Sequence, residues 1–421
     1  MPETSDAPTS TPSRLGEVAR LFLKLGFTAF GGPAAHVALM EEEVVHRRKW
    51  LDRQHFLDMV SAVNFVPGPN STELAIHLGL HRAGYKGLVV AGACFIVPAM
   101  MIILPLAWCY VTFGATPAVA EALVGVKACM VAIVAVALWR FAHAGINDAF
   151  TAVVAVLAVI ASVVLQQFDV HQRDLIVLSV AAVAGLFWYR KRRPPAPAIA
   201  PPEPENSNTP TLKSAPLAFL PAPLAAAAGL SAQVLQMGLF FLKVGATLFG
   251  SGYVLASFLH SGLVQQHHWL TERELLDAIA VGQVTPGPLL TAATFIGYVL
   301  GTRKFGGGVG AGVVSGVVAT VAIFLPAFLF ICVLGPALPR LRANPLARGA
   351  LNGMNAAVVA LIAVVTVWFA GSVLWVDGRV DRLGTTLFAV SLALMLTVKI
   401  NPTWLILACG IVGVVASHTL G

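Results

Sequence analysis

Charge is scarce in this chain. Of its 421 residues only 11% are Asp, Glu, Lys or Arg, whereas 57% are hydrophobic, and the mean hydropathy is +0.80. Soluble domains carry about 25% charged residues. So few charges could not cover the surface of a water-soluble chain this long. That excludes an ordinary soluble enzyme, a disordered chain and a nucleic-acid binder, and leaves a polytopic membrane protein. The formal net charge of +7 then reads as a topology signal, because Lys and Arg gather in cytoplasmic loops.

Cysteine is also sparse. Cys94, Cys109, Cys129, Cys332 and Cys409 all lie in apolar stretches and form no CxxC pair, so they read as small buried hydrophobes. No nucleophile elbow, phosphate loop, HExxH or EF-hand pattern occurs, and neither enzymatic activity nor a cofactor is expected. The glycine-rich stretch Gly306 to Gly312 follows no strand and is a poor nucleotide motif. His36 and Met40 share a helical face, but no second ligand cluster accompanies them, so no metal is expected. A cleavable leader is not expected either: the first dozen residues are polar, and the apolar run from Leu15 lacks a small-residue cleavage site.

The chain does contain a duplication. FLKLGFTAFGG at Phe22 to Gly32 returns as FLKVGATLFGS at Phe241 to Ser251. Trp50–Leu51 returns at Trp269–Leu270, Leu57–Asp58 at Leu276–Asp277, and PGPNST at Pro67 to Thr72 as PGPLLT at Pro286 to Thr291, always 219 residues on. After an insertion near Arg303 to Gly310 the offset becomes 228, so that Pro98 matches Pro326, Gly125 matches Gly353 and Phe141 matches Phe369. Duplicated membrane halves are a transporter pattern. Between them, Arg190 begins a basic, proline-rich stretch with the character of a solvated linker. The expected organisation is a polar tail over 1–14, an N-terminal repeat over 15–189, a linker over 190–215 and a C-terminal repeat over 216–421.

Several apolar segments are too short to span. About 20 residues are needed, yet Leu15 to Phe30 stops at Gly31-Gly32-Pro33, and Phe56 to Val66 stops at Pro67-Gly68-Pro69. Proline breaks the helical ladder and glycine permits the turn. These are either kinked spans or re-entrant hairpins of half-helices. The re-entrant reading, followed by four full spans (about 87–112, 119–140, 149–167 and 173–189), is preferred. It places Arg47-Arg48-Lys49, Arg82 with Lys86, Arg140 with His143, and Arg190 to Arg193 on one side. The fold expected is therefore all-α and polytopic, with two homologous helical repeats. Arg340, Arg342 and Arg348 favour an inverted second half, reached by an extra crossing over Pro216 to Leu230. Arg303-Lys304 and the loop of Asp377, Arg379, Asp381 and Arg382 argue the other way.

Irregular backbone at membrane depth persists only where protein or a water-filled cavity satisfies it. Asn70, Ser71 and Thr72 sit where a helix restarts, with Thr291 as counterpart. Half-helix N-termini carry partial positive charge and free N–H groups, so several aimed at one spot would bind an anion. The same logic, against simple close packing of helices, applies to Gly31, Gly32 and Pro33 and to Gly250, Ser251 and Gly252. Pro67, Gly68 and Pro69, with Pro286, Gly287 and Pro288, make the breaks themselves. Lys24 and Lys243 are equivalent positions one turn before the glycine breaks, either snorkelling or balancing a bound anion's charge. Lys127 lies in an apolar span with Asn355 as counterpart, and Asp58 and Asp277 read as structural. Glu73 is a candidate proton carrier for coupling, or an acidic first-turn residue.

Assembled, these residues resemble the chromate ion transporter family in its long, two-repeat form. The matching motifs are FTAFGGPAAH (Phe27 to His36), VVHRRKWLD (Val44 to Asp52), PGPNSTELA (Pro67 to Ala75) and AGYKGL (Ala83 to Leu88). In the second half they are LFGSGYVL (Leu248 to Leu255), LLDAIAVGQVTPGP (Leu275 to Pro288) and TFIGY (Thr294 to Tyr298). The resemblance covers the chain except its tail and linker. It implies a multi-pass protein of the bacterial inner membrane that exports chromate and confers resistance, with its halves in opposite orientations. Its partners would be chromate or the near-isosteric sulfate and the lipid bilayer, not nucleic acid, with a homodimer as an admissible assembly. Sulfate uptake or exchange, a channel, and an intramembrane enzyme are the rival readings.

Overall fold

In a computed structural model the described residues form helices, joined within each half by short connections. The structure describes residues 11–114, 116–168, 170, 172–190, 231–249, 252, 254–376, 379–398 and 400–420. Apart from Arg190, the expected linker and the apolar segment Pro216 to Leu230 lie outside the described residues.

The first repeat comprises α1 (Thr11–Thr28), α2 (Pro33–Glu41), which runs on through a π-helical turn (Glu42–Arg47), α3 (Arg53–Val63), α4 (Asn70–Phe113), α5 (Pro117–Gly145), α6 (Ala149–Gln167) and α7 (Arg173–Tyr189). The second comprises α8 (Ala232–Thr247), α9 (Leu255–Leu259) with its own π-helical turn (His260–Gln266), α10 (Glu272–Val284) and α11 (Ala292–Arg303) after a 3-10 turn (Leu289–Thr291). It continues with α12 (Gly308–Leu334), α13 (Leu338–Ala343), α14 (Pro345–Leu374), α15 (Arg382–Thr397) and α16 (Pro402–Leu420). A two-stranded ribbon, β1 (Trp375–Val376) against β2 (Arg379–Val380), closes the turn after α14.

Local chemistry sets the helix limits. Pro33 starts α2 after Gly32, Asp52 caps α3 by accepting from the His55 amide at 2.8 Å, and Thr271 with Glu274 forms a capping box on α10. An unbroken α4 of 44 residues would measure about 66 Å, twice a bilayer core. Its backbone instead leaves the helical region at Ala83 and Gly84 (φ 64° at the glycine), and Gly79 comes to lie against the carbonyl of Gly87. Residues 70–82 and 85–113 are thus two limbs folded back on each other. In the second half α11 and α12 do the same, Gly297 lying against Ser315 and Ala319.

The broken segments are hairpins whose two ends share a face. His55 at the start of α3 meets His81 near the end of the first limb of α4, ring centroids 5.2 Å apart. Glu274 at the start of α10 pairs with Arg303 at the end of α11 at 3.1 Å. Lys24 reaches Glu43 at 2.6 Å across the first hairpin, and Phe240 meets His267 across the third. A kinked single span would place these partners on opposite faces, so the re-entrant reading holds. Among the described residues five helices are long and apolar enough to cross a membrane, within α4, α5, α6, α12 and α14, while α15 and α16 are shorter apolar helices.

Contact register decides the orientation of the halves. Gly413 of α16 packs on the carbonyl of Glu121 of α5, and Gly125 of α5 on that of Cys409 of α16. Gly185 of α7 meets Gly349 of α14, and Ala181 meets Gly353. Numbers fall along one helix as they rise along its partner, so both pairs are antiparallel. Two short turns around α6 make α5 and α7 run the same way. Helix α16 is the counterpart of α7, yet it runs antiparallel to α5 and hence to α7. The two halves are inverted. Arg340 and Arg348 then share a face with Arg47, Arg82, Lys86 and Arg190, while Arg303, Lys304 and the ribbon lie on the other.

Candidate functional site

Four chain breaks meet in the middle of this fold. The amide of Gly68, between Pro67 and Pro69, donates to the carbonyl of Leu248 at 2.6 Å. The amide of Gly287, between Pro286 and Pro288, donates to the carbonyl of Ala29 at 2.9 Å. Gly68 and Gly287 are equivalent positions, as are Ala29 and Leu248, so one contact is made twice about a pseudo-twofold axis. His36, 1% exposed, ties in the fourth helix. Its Nε2 lies 3.1 Å from the Ala29 carbonyl, which can only accept, so that nitrogen donates; Nδ1 lies 3.4 Å from Ser71 Oγ. His36 therefore spends its ring on the protein rather than on a metal.

Glycine is required at both PGP turns. Gly68 has φ 139° and Gly287 φ 93°, which L side chains rarely adopt. A β-carbon on Gly68 would collide with the carboxyl group of Glu73, and one on Gly287 with the β-carbon of Ala99.

The polar groups here are incompletely paired. Asn70 Nδ2 donates to Asn64 Oδ1 at 2.7 Å, the Thr72 amide to the Pro69 carbonyl at 2.7 Å, and Thr291 Oγ1 to the Pro288 carbonyl at 2.6 Å. Ser71 is buried beside His36. Among the described residues, Thr72 Oγ1, both carboxyl oxygens of Glu73 and Gln283 Nε2 are buried without a hydrogen-bond partner. Gln283 is the counterpart of Asn64. Each such atom costs about 1–3 kcal/mol, a cost that a bound polar ligand or water would offset. Glu73 itself is fully buried. Gly31 lies under the Asn401 side chain, and Gly32 and Pro33 open α2. Gly252 packs on Leu289 beside an apolar cavity of about 10 Å³, room for a single water at most. The breaks are thus closed upon one another there. Gly250 and Ser251 lie outside the described residues.

The equivalent lysines differ. Lys24 Nζ lies 2.6 Å from Glu43 Oε1, and Arg47 and Arg48 hold the same carboxylate at 3.3 and 3.2 Å. The hydrogen bond from Lys24 holds the Glu43 carboxyl below the usual carboxylate range, with Arg48 adding to it and burial opposing. Lys243 instead lines a polar crevice with Arg173, Asp174 and Ser261. Lys127 pairs with Asp277 at 3.0 Å, joining α5 to α10 across the halves, and Tyr110 donates to the same carboxylate at 2.9 Å. This gives Asp277 a structural role, while its counterpart Asp58 is half-buried on α3.

One arrangement escaped the sequence reading. Glu73, His77 and His81 recur at intervals of four on the first limb of α4, and so share one face. They lead from the breaks to His55 at the membrane face, and His77 Nδ1 is unpartnered. The spacing was visible, but His77 and His81 sit in no motif that drew attention to them.

A sequence model described as chromate transporter matches residues 16–186 and 235–414. The chromate transport protein of Cupriavidus metallidurans is 29% identical over 419 residues, covering 97% of this chain and 94% of the relative. That of Pseudomonas aeruginosa is 29% identical over 435 residues, covering 98% and 95%. The probable chromate transport protein of Synechococcus elongatus is 27% identical over 349 residues, covering 83% of each. No solved structure matches the chain.

Proposed function

This chain belongs to the chromate transporter family, and from that premise we propose that it is a secondary transporter exporting chromate across the bacterial inner membrane, so conferring chromate resistance. The observation that carries the proposal is the meeting of four chain breaks through the reciprocal bonds of Gly68 with Leu248 and Gly287 with Ala29. Broken helices at the interface of inverted repeats bind ions near the midplane, and rocking of one repeat against the other exposes them to either side.

In this reading the oxyanion is held by backbone and hydroxyl donors at Gly31–Gly32, Asn70–Thr72, Gly252 and Thr291, with Gly250 and Ser251 completing the second half. The restarting helices α2, α4 and α11 add their positive ends. Lys24 is already balanced by Glu43, so the field of the helix ends does more of the work than the lysine. The positive-inside rule makes the face bearing Arg47, Arg48, Lys49, Arg82 and Lys86 cytoplasmic.

The membrane potential supplies the drive. Each charge crossing 100 mV is worth about 2.3 kcal/mol. Chromate carries two, which by themselves would sustain roughly a thousandfold outward gradient. Glu73 sets the coupling. Ionised, it repels the anion; protonated, it admits it, and a proton carried along reduces the moving charge from two to one.

Everted vesicles from cells with and without the protein test this. An imposed inside-positive potential is expected to drive chromate accumulation, reduced by excess sulfate if the two compete. Accumulation that ignores potential and follows only a pH gradient would overturn potential-driven export. Expression that sensitises cells to chromate would favour uptake instead.

A further inference from the structure

The two halves carry the same lysine in opposite electrostatic states, and the difference is built by two substitutions between repeats. In the first half Lys24 is closed by Glu43, and Asn401 stands beside the break at Gly31. In the second half Lys243 replaces Lys24, the counterpart of Glu43 is Gly262, and the counterpart of Asn401 is Arg173. Where one half has a lysine with its own carboxylate, the other has a lysine, an arginine and a glycine packed under the Phe240 ring.

The space is open. A crevice of about 300 Å³ lies between the α6–α7 connection and the hairpin of α8 and α9, lined by Lys243, Arg173, Asp174, Ser261 and Gly262. Gln172, Gln266 and His268 are exposed at its mouth. The one carboxylate among its described lining residues is occupied: Asp174 accepts from Ser261 at 2.5 Å and from Ser257 at 3.5 Å, and faces the buried Arg173 at 3.7 Å. Among the described residues no carboxylate lies within ion-pair distance of Lys243. Two cations thus face one carboxylate that is held elsewhere.

We propose that this crevice is a second anion site, taking a tetrahedral oxyanion dianion where the first half holds the Glu43 carboxylate. Lys243 stands five residues before Leu248, about 8 Å of helix rise from the breaks, on the face opposite the Arg47–Lys49 cluster. An anion leaving the breaks toward that face meets Lys243 and Arg173 first, so the crevice serves as the outer vestibule. That last role rests on the export reading; the binding itself does not.

The test uses purified full-length protein and sulfate, which shares chromate's shape without oxidising the protein. Tracer sulfate is expected to bind competitively with chromate. Lys243→Gln and Arg173→Gln should each weaken affinity tenfold or more, and Lys86→Gln, exposed on the other face, should leave it within twofold. Wild-type affinity in either folded crevice variant overturns the proposal. Should those variants fail to fold, acylation of the wild-type protein decides: sulfate is expected to protect Lys243 from the reagent, and absence of protection overturns the site. Sulfate displaced by anionic but not zwitterionic lipid in nanodiscs would assign the crevice to a lipid phosphate and overturn it likewise. Lys243-dependent sulfate binding without chromate flux in vesicles would defeat the export reading and leave the crevice standing.

Discussion

The amide of Gly68 lies 2.6 Å from the carbonyl of Leu248, although the two belong to different halves of the chain. Its twin joins Gly287 to Ala29. Each break supplies the partner that the other lacks, so irregular backbone is satisfied at membrane depth by the opposite repeat rather than by lipid.

Replacing Gly68 by alanine should therefore abolish chromate accumulation in vesicles. The added β-carbon strains a φ of 139° and displaces the Glu73 carboxyl group, at a cost of about 1–3 kcal/mol. Gly287→Ala should impair transport for the same backbone reason while leaving Glu73 in place. Wild-type flux in both variants would separate these turns from the transport site.

Glu73→Gln fixes the neutral side chain. Under an imposed potential without a pH gradient, accumulation should persist and lose its pH dependence. At 100 mV the limiting gradient should rise from about 50-fold, for one net charge, toward a thousandfold for two. An unchanged pH profile would remove Glu73 from coupling.

The Lys127–Asp277 pair is a stability element. Asp277→Ala leaves a half-buried lysine uncompensated and should cost about 3 kcal/mol, seen as a lowered melting temperature in detergent. The double change Lys127→Met with Asp277→Leu should recover most of that loss. A double variant no better than the single one would contradict a pairwise role.

Glu43 confers an acid-sensitive contribution. Its folded-state pKa is depressed, so the stability it adds is present above the ordinary glutamate value of 4.5 and is lost as pH falls through the lower folded value. Comparison of wild type with Glu43→Gln across that range should show a stability gap at neutral pH that closes on acidification. A gap independent of pH would assign the effect to packing.

Much of this architecture was legible in the chain itself. Apolar composition, the offsets of 219 and 228, and the Pro-Gly-Pro and Gly-Gly-Pro stops are local or periodic signals. They fix the helix type, the duplication and the places where helices must break, because backbone hydrogen bonding and proline geometry act within a few residues. The re-entrant reading needed only the charge clusters in addition. Orientation was harder, since Arg340 and Arg303 pull opposite ways in a count of charges; Arg340 follows the inverted second half, while Arg303, paired with Glu274, stands on the other face against that count.

What the sequence could not determine is which distant groups meet. Lys24 and Lys243 occupy the same position in nearly the same motif, and nothing local separates a lysine closed by a carboxylate from one facing a crevice. That depends on Glu43 folding back across a hairpin and on the start of α7 delivering Arg173 and Asp174 from 70 residues before Lys243. The repeat determined that these positions correspond; only the tertiary packing, within a hairpin for Lys24 and between the halves for Lys243, decided their charge environment, because electrostatic partners are chosen by distance in space and not along the chain.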